Sequence, residues 1–281
     1  MTSEYTLDQI QNSPITIYRF DVELEDVVFI GDPDAAFGKF SIKSGYVYSS
    51  GYNAVLEHAI SGQQYSYESY LRLSSIAFKG MNFSGIGQAF SAEFSYRGDD
   101  SYINGLTIES CSFQNTGMEN GGQAVWIQTD TLNKYRNITV DNCVFNSCFQ
   151  GIYIQNGDGI SIINCSSDNT THNAFAVQNG GTVAGETPVE DDYFTGSINI
   201  KYNIILNTSG KAGIRFGNGY NASILSENNT ISNAAETVQD GMMILESENL
   251  ENCTYSFTGN TYNGDILEDI YDSSVDWDLI I

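Results

Sequence analysis

Few side chains in this sequence are of types that carry out chemistry, and their spacing narrows what that chemistry is. Lys211 and Arg215 stand four residues apart, a cationic pair able to neutralise a carboxylate while a base takes the adjacent proton. Glu119 and Asp168 are carboxylates suited to calcium. Opposed across a bond, Glu119 with Asp168 or Asp240 would instead supply an acid and a base. Trp126 and Tyr153 offer flat apolar ring faces. Glu93, Gln128, Gln155 and Gln178 add hydrogen-bonding groups at matching places, which together suit a sugar. His58 and His172 are the only histidines, and each reads as a surface or loop residue. The five cysteines, Cys111, Cys143, Cys148, Cys165 and Cys253, lack CxxC spacing, which argues against a zinc site and a disulfide framework.

These residues are positioned by a repeat. The stretch from Arg136 to Asn156 holds three alternating runs, Ile138-x-Val140, Cys143-x-Phe145 and Ile152-x-Ile154. Each run has the length of a strand and the turns between them are short. The figure returns at once, with Cys165 placed 22 residues after Cys143. A unit this small cannot bury its own apolar face, so it must stack on copies of itself. From Leu71 onward a first strand supplies Ile76/Phe78, Leu106/Ile108, Ile138/Val140, Ile160/Ile162, Ile198/Ile200, Ile224/Ser226 and Tyr255/Phe257. Three residues later comes a column of Met81, Cys111, Cys143, Cys165, Asn203, Asn229 and Asn260, then Phe83, Phe113, Phe145, Ser167, Ile205, Ile231 and Tyr262 two residues further on. A third strand opens on a small residue (Ala89, Ala124, Gly151, Ala174, Gly213, Gly241) and carries inward pairs ending with Ile214/Phe216 and Met242/Ile244.

Period-2 alternation in three strands per coil predicts an all-β, three-sheet parallel β-solenoid. The Cys/Asn column falls at the bend between first and second strands, where Asn tolerates left-handed backbone and stacked amides can bond from rung to rung. Its cysteines read as core filling. Residues 1–70 are expected to form a cap with irregular first coils. In that segment SEYTLDQIQNSP reads as a short N-terminal amphipathic helix through Leu7 and Ile10. Val22-x-Leu24, Val28-x-Ile30 and Phe40-x-Ile42 read as strands, and Ala54–Ile60 as a helical turn. Regular coils span 71–263 and a C-terminal cap 264–281, all in one continuous domain.

The totals bound the partners. With 35 acidic residues against 11 basic ones the net charge is −24, so nucleic acid and anionic membranes are repelled. An anionic polysaccharide is disfavoured for the same reason unless cations or a basic spot intervene. No run approaches the apolar length of a membrane span. The opening MTSEYTLDQI lacks a secretory signal pattern, while the acidic, Asn/Thr-rich composition points to an extracellular or cell-surface location. The sequons at Asn82, Asn137, Asn164, Asn169, Asn207, Asn221, Asn228 and Asn252 are compatible with glycosylation.

The motif small-Ile-x-Ile, turn, Ile-x-Ile-x-x-Cys/Asn-x-Phe/Ile-x-Asn, over about residues 71 to 263, resembles the right-handed parallel β-helix proteins of the pectate-lyase-like superfamily. The resemblance implies three sheets, an Asn-type ladder at the tight bend, and a sugar-binding groove over the strand that opens on the small residue. Its outward row would read Ser91, Trp126, Tyr153, Ala176, Arg215 and Met243. The next row would read Glu93, Gln128, Gln155, Gln178, Gly217 and Leu245, with Glu119, Asp168, His172 and Lys211 on the flanking loops.

Superfamily members include lyases, hydrolases, epimerases, tailspikes and adhesins, and fold alone does not choose among them. The Asn-x-Asp, Asp-Asp, Gly-His-Gly, Arg-x-Lys order of polygalacturonases and the Arg-x-Pro-x-x-Arg pattern of many pectate lyases are both missing. The leading expectation is recognition of a polysaccharide or glycan by an adhesin-like β-helix that requires no cofactor, with calcium as the one candidate ion. The alternatives are a lyase or hydrolase using Arg215, Lys211, Glu119 and Asp168, and a structural stalk within a larger surface protein.

Overall fold

A computed structural model describes residues 3–7, 14–19, 22–31, 36–37, 39–44, 71–84, 90–94, 102–117, 122–128, 135–155, 157–178, 194–209, 212–232, 243–251 and 254–267. Within them the chain winds through three parallel sheets as a right-handed β-helix. The first sheet stacks, among others, Val22–Gly31, Leu71–Lys79, Tyr102–Glu109, Tyr135–Asp141, Asp158–Ile163 and Phe194–Lys201. The second holds short strands such as Asn82–Ser84, Ser112–Gln114, Val144–Asn146, Ser166–Asp168, Ile204–Leu206 and Thr230–Ser232. The third stacks Lys39–Ser44, Phe90–Phe94, Gln123–Gln128, Gln150–Gln155 and Phe175–Gln178. The 14-residue strand Ile214–Glu227 belongs to two sheets. Its start pairs with Phe175–Gln178 in the third sheet and its end with Phe194–Lys201 in the first.

The predicted register of the first strand holds throughout. Ile138 faces Leu106 and Ile160, Ile198 faces Ile160 and Ile224, and Ser226 faces Phe257. The columns form a continuous core in which Ile76, Leu106, Ile138, Ile160, Ile198 and Ile224 are all buried. β-Branched Ile packs well on a pleated surface at this repeat. The rings of Phe83, Phe113 and Phe145 stack nearly parallel, with centroids 5.0 and 4.8 Å apart. Their spacing is that of the rungs themselves.

The bends reuse one device. The residue before the ladder column has left-handed backbone: Gly80, Ser110, Asn142, Asn164, Tyr202, Asn228 and Gly259, with φ between 53° and 63°. The sequence expectation placed this conformation on the ladder residue itself; the structure moves it one position earlier. That shift lets the ladder side chain turn inward while the left-handed residue faces solvent. The bend after the second strand repeats the pattern. Asn115, Ser147, Asn169 and Asn207 have positive φ and are followed by the buried Thr116, Cys148, Thr170 and Thr208. Four sequon asparagines, Asn164, Asn169, Asn207 and Asn228, occupy such bends, and Asn137 has the same left-handed conformation within the strand Tyr135–Asp141, so backbone geometry accounts for the Asn in each of these tripeptides.

Before residue 71 the described residues include strands that join the same sheets. Val22–Gly31 and Lys39–Ser44 stack in register on the coil that follows them. Val27 and Phe29, paired with Ile76 and Phe78, are the buried pair, rather than the expected Val28 and Ile30. The left-handed Asp26 (φ 52°) interrupts the ladder and shifts the alternation by one. Where an N-terminal helix was expected, Ser3–Leu7 is a strand pairing in parallel with Val27–Gly31. Two apolar residues three apart are a weak helical signal, and a sheet edge in need of a partner overrides it. Ile10 and the segment 54–60 lie outside the described residues. At the other end, Asp265–Leu267 folds back antiparallel on Asn260–Tyr262 across a two-residue turn of Asn263 and Gly264, both with positive φ. This hairpin covers the last edge of the second sheet.

Candidate functional site

The third sheet carries the residues expected to bind. Trp126 lies directly opposite Tyr153 on one side and Ser91 on the other. Tyr153 faces Ala176, and Ala176 faces Arg215. The predicted row is therefore real from Ser91 to Arg215. The parallel row pairs Glu93 with Gln128, and Gln178 with both Gln155 and Gly217. At the last rung the register differs from expectation: Met243 and Leu245 stand opposite Ile214 and Phe216, and Ile244 opposite Arg215. The expected inward pair Met242/Ile244 is thus off by one residue, because Met242, Met243, Ile244 and Leu245 form an unbroken apolar run with no alternation to fix the phase.

The strand begins where it does because of close packing. A Cβ at Gly151 would lie 2.6 Å from the Ala174 carbonyl oxygen and 3.4 Å from the Phe145 ring. Only a small residue fits this bend, and Ala124, Ala174 and Gly213 fill the same column, all buried. Beside it, Asn173 is buried, and its Oδ1 accepts a hydrogen bond from the Ala212 N–H at 3.1 Å. Gln150 is buried with its Nε2 unsatisfied.

The outer surface of this sheet is less open than the sequence implied. Trp126, Tyr153 and Arg215 are half-buried. Ala176, an outward residue in the row, is fully covered and yet stands outside the interior core. The Trp126 Nε1 is shielded from solvent without a hydrogen-bond acceptor, so this indole presents a ring surface rather than a donor. Arg215 is engaged by neighbouring groups while its Nε is shut off from water. The row thus holds two adjacent aromatic side chains, Trp126 and Tyr153, followed by the covered Ala176 and the Arg215 guanidinium.

The remaining candidates separate. Asp168 belongs to the second sheet, on the strand Ser166–Asp168 rather than a loop before the third. It is exposed, and its Oδ1 accepts a hydrogen bond from Asn207 Nδ2 at 2.7 Å. Asp168 and Arg215 therefore stand on different sheets. Asp168 ends a second-sheet strand because the bend lies beyond Asn169, a position that the Asn-Thr dipeptide marks once the bend device is known. Glu119, Lys211 and Asp240 lie outside the described residues. His172 stacks on Phe149 with ring centroids 5.0 Å apart. Among the described residues no three His, Cys, Asp or Glu side chains gather closely enough to hold a metal ion.

The cysteine column is interior, as expected: Cys111, Cys143 and Cys165 are buried free thiols, and so is Cys148 at the second bend. A hydrogen bond with Cys143, together with burial, pushes the Cys111 thiol far above its ordinary range. At Cys143 the bond with Cys111 works downward, but the bond with Cys165 and burial outweigh it and raise that thiol too. Burial likewise raises Cys148, against the opposing bond from Thr116. Protonated thiols sealed from solvent are neither nucleophiles nor metal ligands.

This architecture has a family. The description "right handed beta helix region" matches residues 70–268, and the chain belongs to that family. No curated protein sequence matches the chain. Among solved structures, the A-module of the Azotobacter vinelandii mannuronan C-5 epimerase AlgE4 is similar at 13% identity and a TM-score of 0.38, over 94% of this chain and 82% of that one. The Streptococcus pneumoniae surface protein and adhesin PfbA is similar at 13% identity and a TM-score of 0.34, over 90% of this chain and 89% of that one. The catalytic domain of a GH87 alpha-1,3-glucanase is similar at 10% identity and a TM-score of 0.34, over 99% of this chain and 62% of that one. These likenesses concern the β-helix fold alone.

Proposed function

We propose that this β-helix recognises a carbohydrate through the outer side of its third sheet, at the cell surface or outside the cell. The observation that carries the reading is the placement of Trp126 directly opposite Tyr153 in adjacent parallel strands. The strands that carry these two aromatic residues are neighbours in the sheet, about 4.8 Å apart, so both side chains fall within the span of a short oligosaccharide. Their apolar faces suit sugar C–H groups. The neighbouring row of Gln128, Gln155 and Gln178 adds neutral groups that donate and accept. Calcium is not required by this mode of binding.

The experiment is titration calorimetry of the intact protein against oligosaccharides found by a glycan array. Trp126→Ala and Tyr153→Ala should each weaken binding by tenfold or more, as the loss of a buried aromatic contact does. Affinity unchanged in both variants would remove the third sheet from the account.

A further inference from the structure

We infer that the corner between the first and second sheets carries a second binding site, centred on Tyr202 and built for a neutral sugar. It is independent of the third-sheet site.

The first observation is conformational. Seven stacked bend residues have left-handed backbone, and six of them are Gly, Ser or Asn; the seventh is Tyr202, at φ 57°. A bulky side chain is disfavoured in this region, where Asn or Gly would serve the bend at less cost. Among the described left-handed residues Tyr202 is the sole aromatic. Backbone strain of this kind persists where the side chain is used.

The second observation is what surrounds it. Tyr202 is 53% exposed, Ile204 50% and Val144 48%. Ile204 lies between Ser166 and Thr230, and Val144 lies beyond Ser166 in the same row. Apolar and hydroxyl side chains therefore alternate rung by rung. The bend residues of the adjoining rungs are the exposed Asn164 and Asn228, and Asn164 is held by its Nδ2 donating to Asp141 Oδ1 at 2.9 Å. An aromatic face, flanking amides and alternating hydroxyls match a pyranose, whose C–H patches alternate with its own hydroxyls. A protein partner would call for a contiguous apolar centre instead.

Charge selects the class of sugar. The chain carries −24, and the nearby Lys201 is neutralised by Glu227 at 3.1 Å. An anionic glycan or a second copy of this chain would be repelled, whereas a neutral saccharide meets no such barrier.

The test uses the whole chain with cellohexaose, mannohexaose and laminarihexaose as probes, and the variants Tyr202→Asn, Ile204→Thr and Trp126→Ala. Tyr202→Asn should raise the thermal midpoint, because the bend is relieved, while weakening one of these probes tenfold or more. Ile204→Thr should weaken the same probe, and Trp126→Ala should leave that component intact. The proposal is overturned if no probe binds in a way that Tyr202→Asn weakens. It is also overturned if sedimentation shows the wild type self-associating through this corner and Tyr202→Asn returning it to monomers. Loss of binding in Trp126→Ala alone would leave the third-sheet reading standing and remove this one.

Discussion

Asn229 accepts a hydrogen bond from Asn203 Nδ2 at 2.9 Å, and the same Oδ1 accepts the Asn203 backbone N–H at 3.0 Å. The Asn229 amide nitrogen in turn donates to Asn260 Oδ1 at 2.9 Å and to the Ile200 carbonyl at 2.8 Å. One buried side chain thus ties its own rung to the rungs on both sides, at the point where the backbone turns.

Replacing that residue should be costly. Asn229→Ala leaves the Asn203 N–H and the Ile200 carbonyl without these partners in a dry interior. A loss of about 2–4 kcal/mol is expected from unsatisfied buried groups. Urea unfolding followed by far-UV circular dichroism would measure it, and a change under about 0.5 kcal/mol would contradict a ladder role.

The ladder stops at Cys165, whose N–H donates to Asn203 Oδ1 at 2.8 Å. The thiol there spends its proton on backbone carbonyls, Ile163 at 3.2 Å and Val140 at 3.6 Å. Cys165→Asn should carry the ladder one rung further, because the new amide oxygen comes within reach of the Cys143 N–H. The expected thermal midpoint equals or exceeds that of the parent, whereas Cys165→Asp should lower it by burying a charge.

Gly151 marks a place where nothing larger fits. Gly151→Ala forces a methyl against the Ala174 carbonyl oxygen, 2.6 Å from the ideal Cβ position. A destabilisation of about 1–3 kcal/mol follows from overpacking, readable as a drop in the urea midpoint at constant slope.

The thiols give a dependence on pH. Cys111, Cys143 and Cys148 have raised pKa values in the fold, so the folded chain keeps protons that the unfolded chain releases. Their contribution is complete below the ordinary thiol pKa of about 8.5 and is lost as the pH rises beyond it, by about 1.4 kcal/mol per unit for each thiol. Unfolding free energies between pH 8 and 10 should fall more steeply in the parent than in Cys111→Ala. In a Cys253→Ser background, a thiol-specific chromogenic reagent should find no reactive group in the native protein and four after unfolding, since Cys111, Cys143, Cys148 and Cys165 are all buried.

Where inward and outward residues alternate without interruption, the sequence was sufficient. Ile138-x-Val140 and its counterparts fix the register, because a slip of one residue would send every Ile into water. The ladder column was legible for the same reason, since Asn and Cys recur at a constant distance from those pairs. The strip from Ser91 to Arg215 followed from counting along strands whose phase was already set.

Other features depended on tertiary context. Val27 and Phe29 displace Val28 and Ile30 because a left-handed residue at Asp26 shifts the alternation, and an Asp at that place does not by itself mark a left-handed backbone. Asp168 lies on the second sheet because the chain turns after it, and turn positions follow from stacking against adjacent coils. The covering of Ala176 and the shielding of the Trp126 N–H have no counterpart in the alternation of residue types along the strands. By itself the sequence determined the repeat, the three sheets and the inward columns, because burial imposes a period on residue types. Only the tertiary structure decided which outward residues stay exposed, since an outward side chain obeys no such period and its surroundings come from coils distant in sequence.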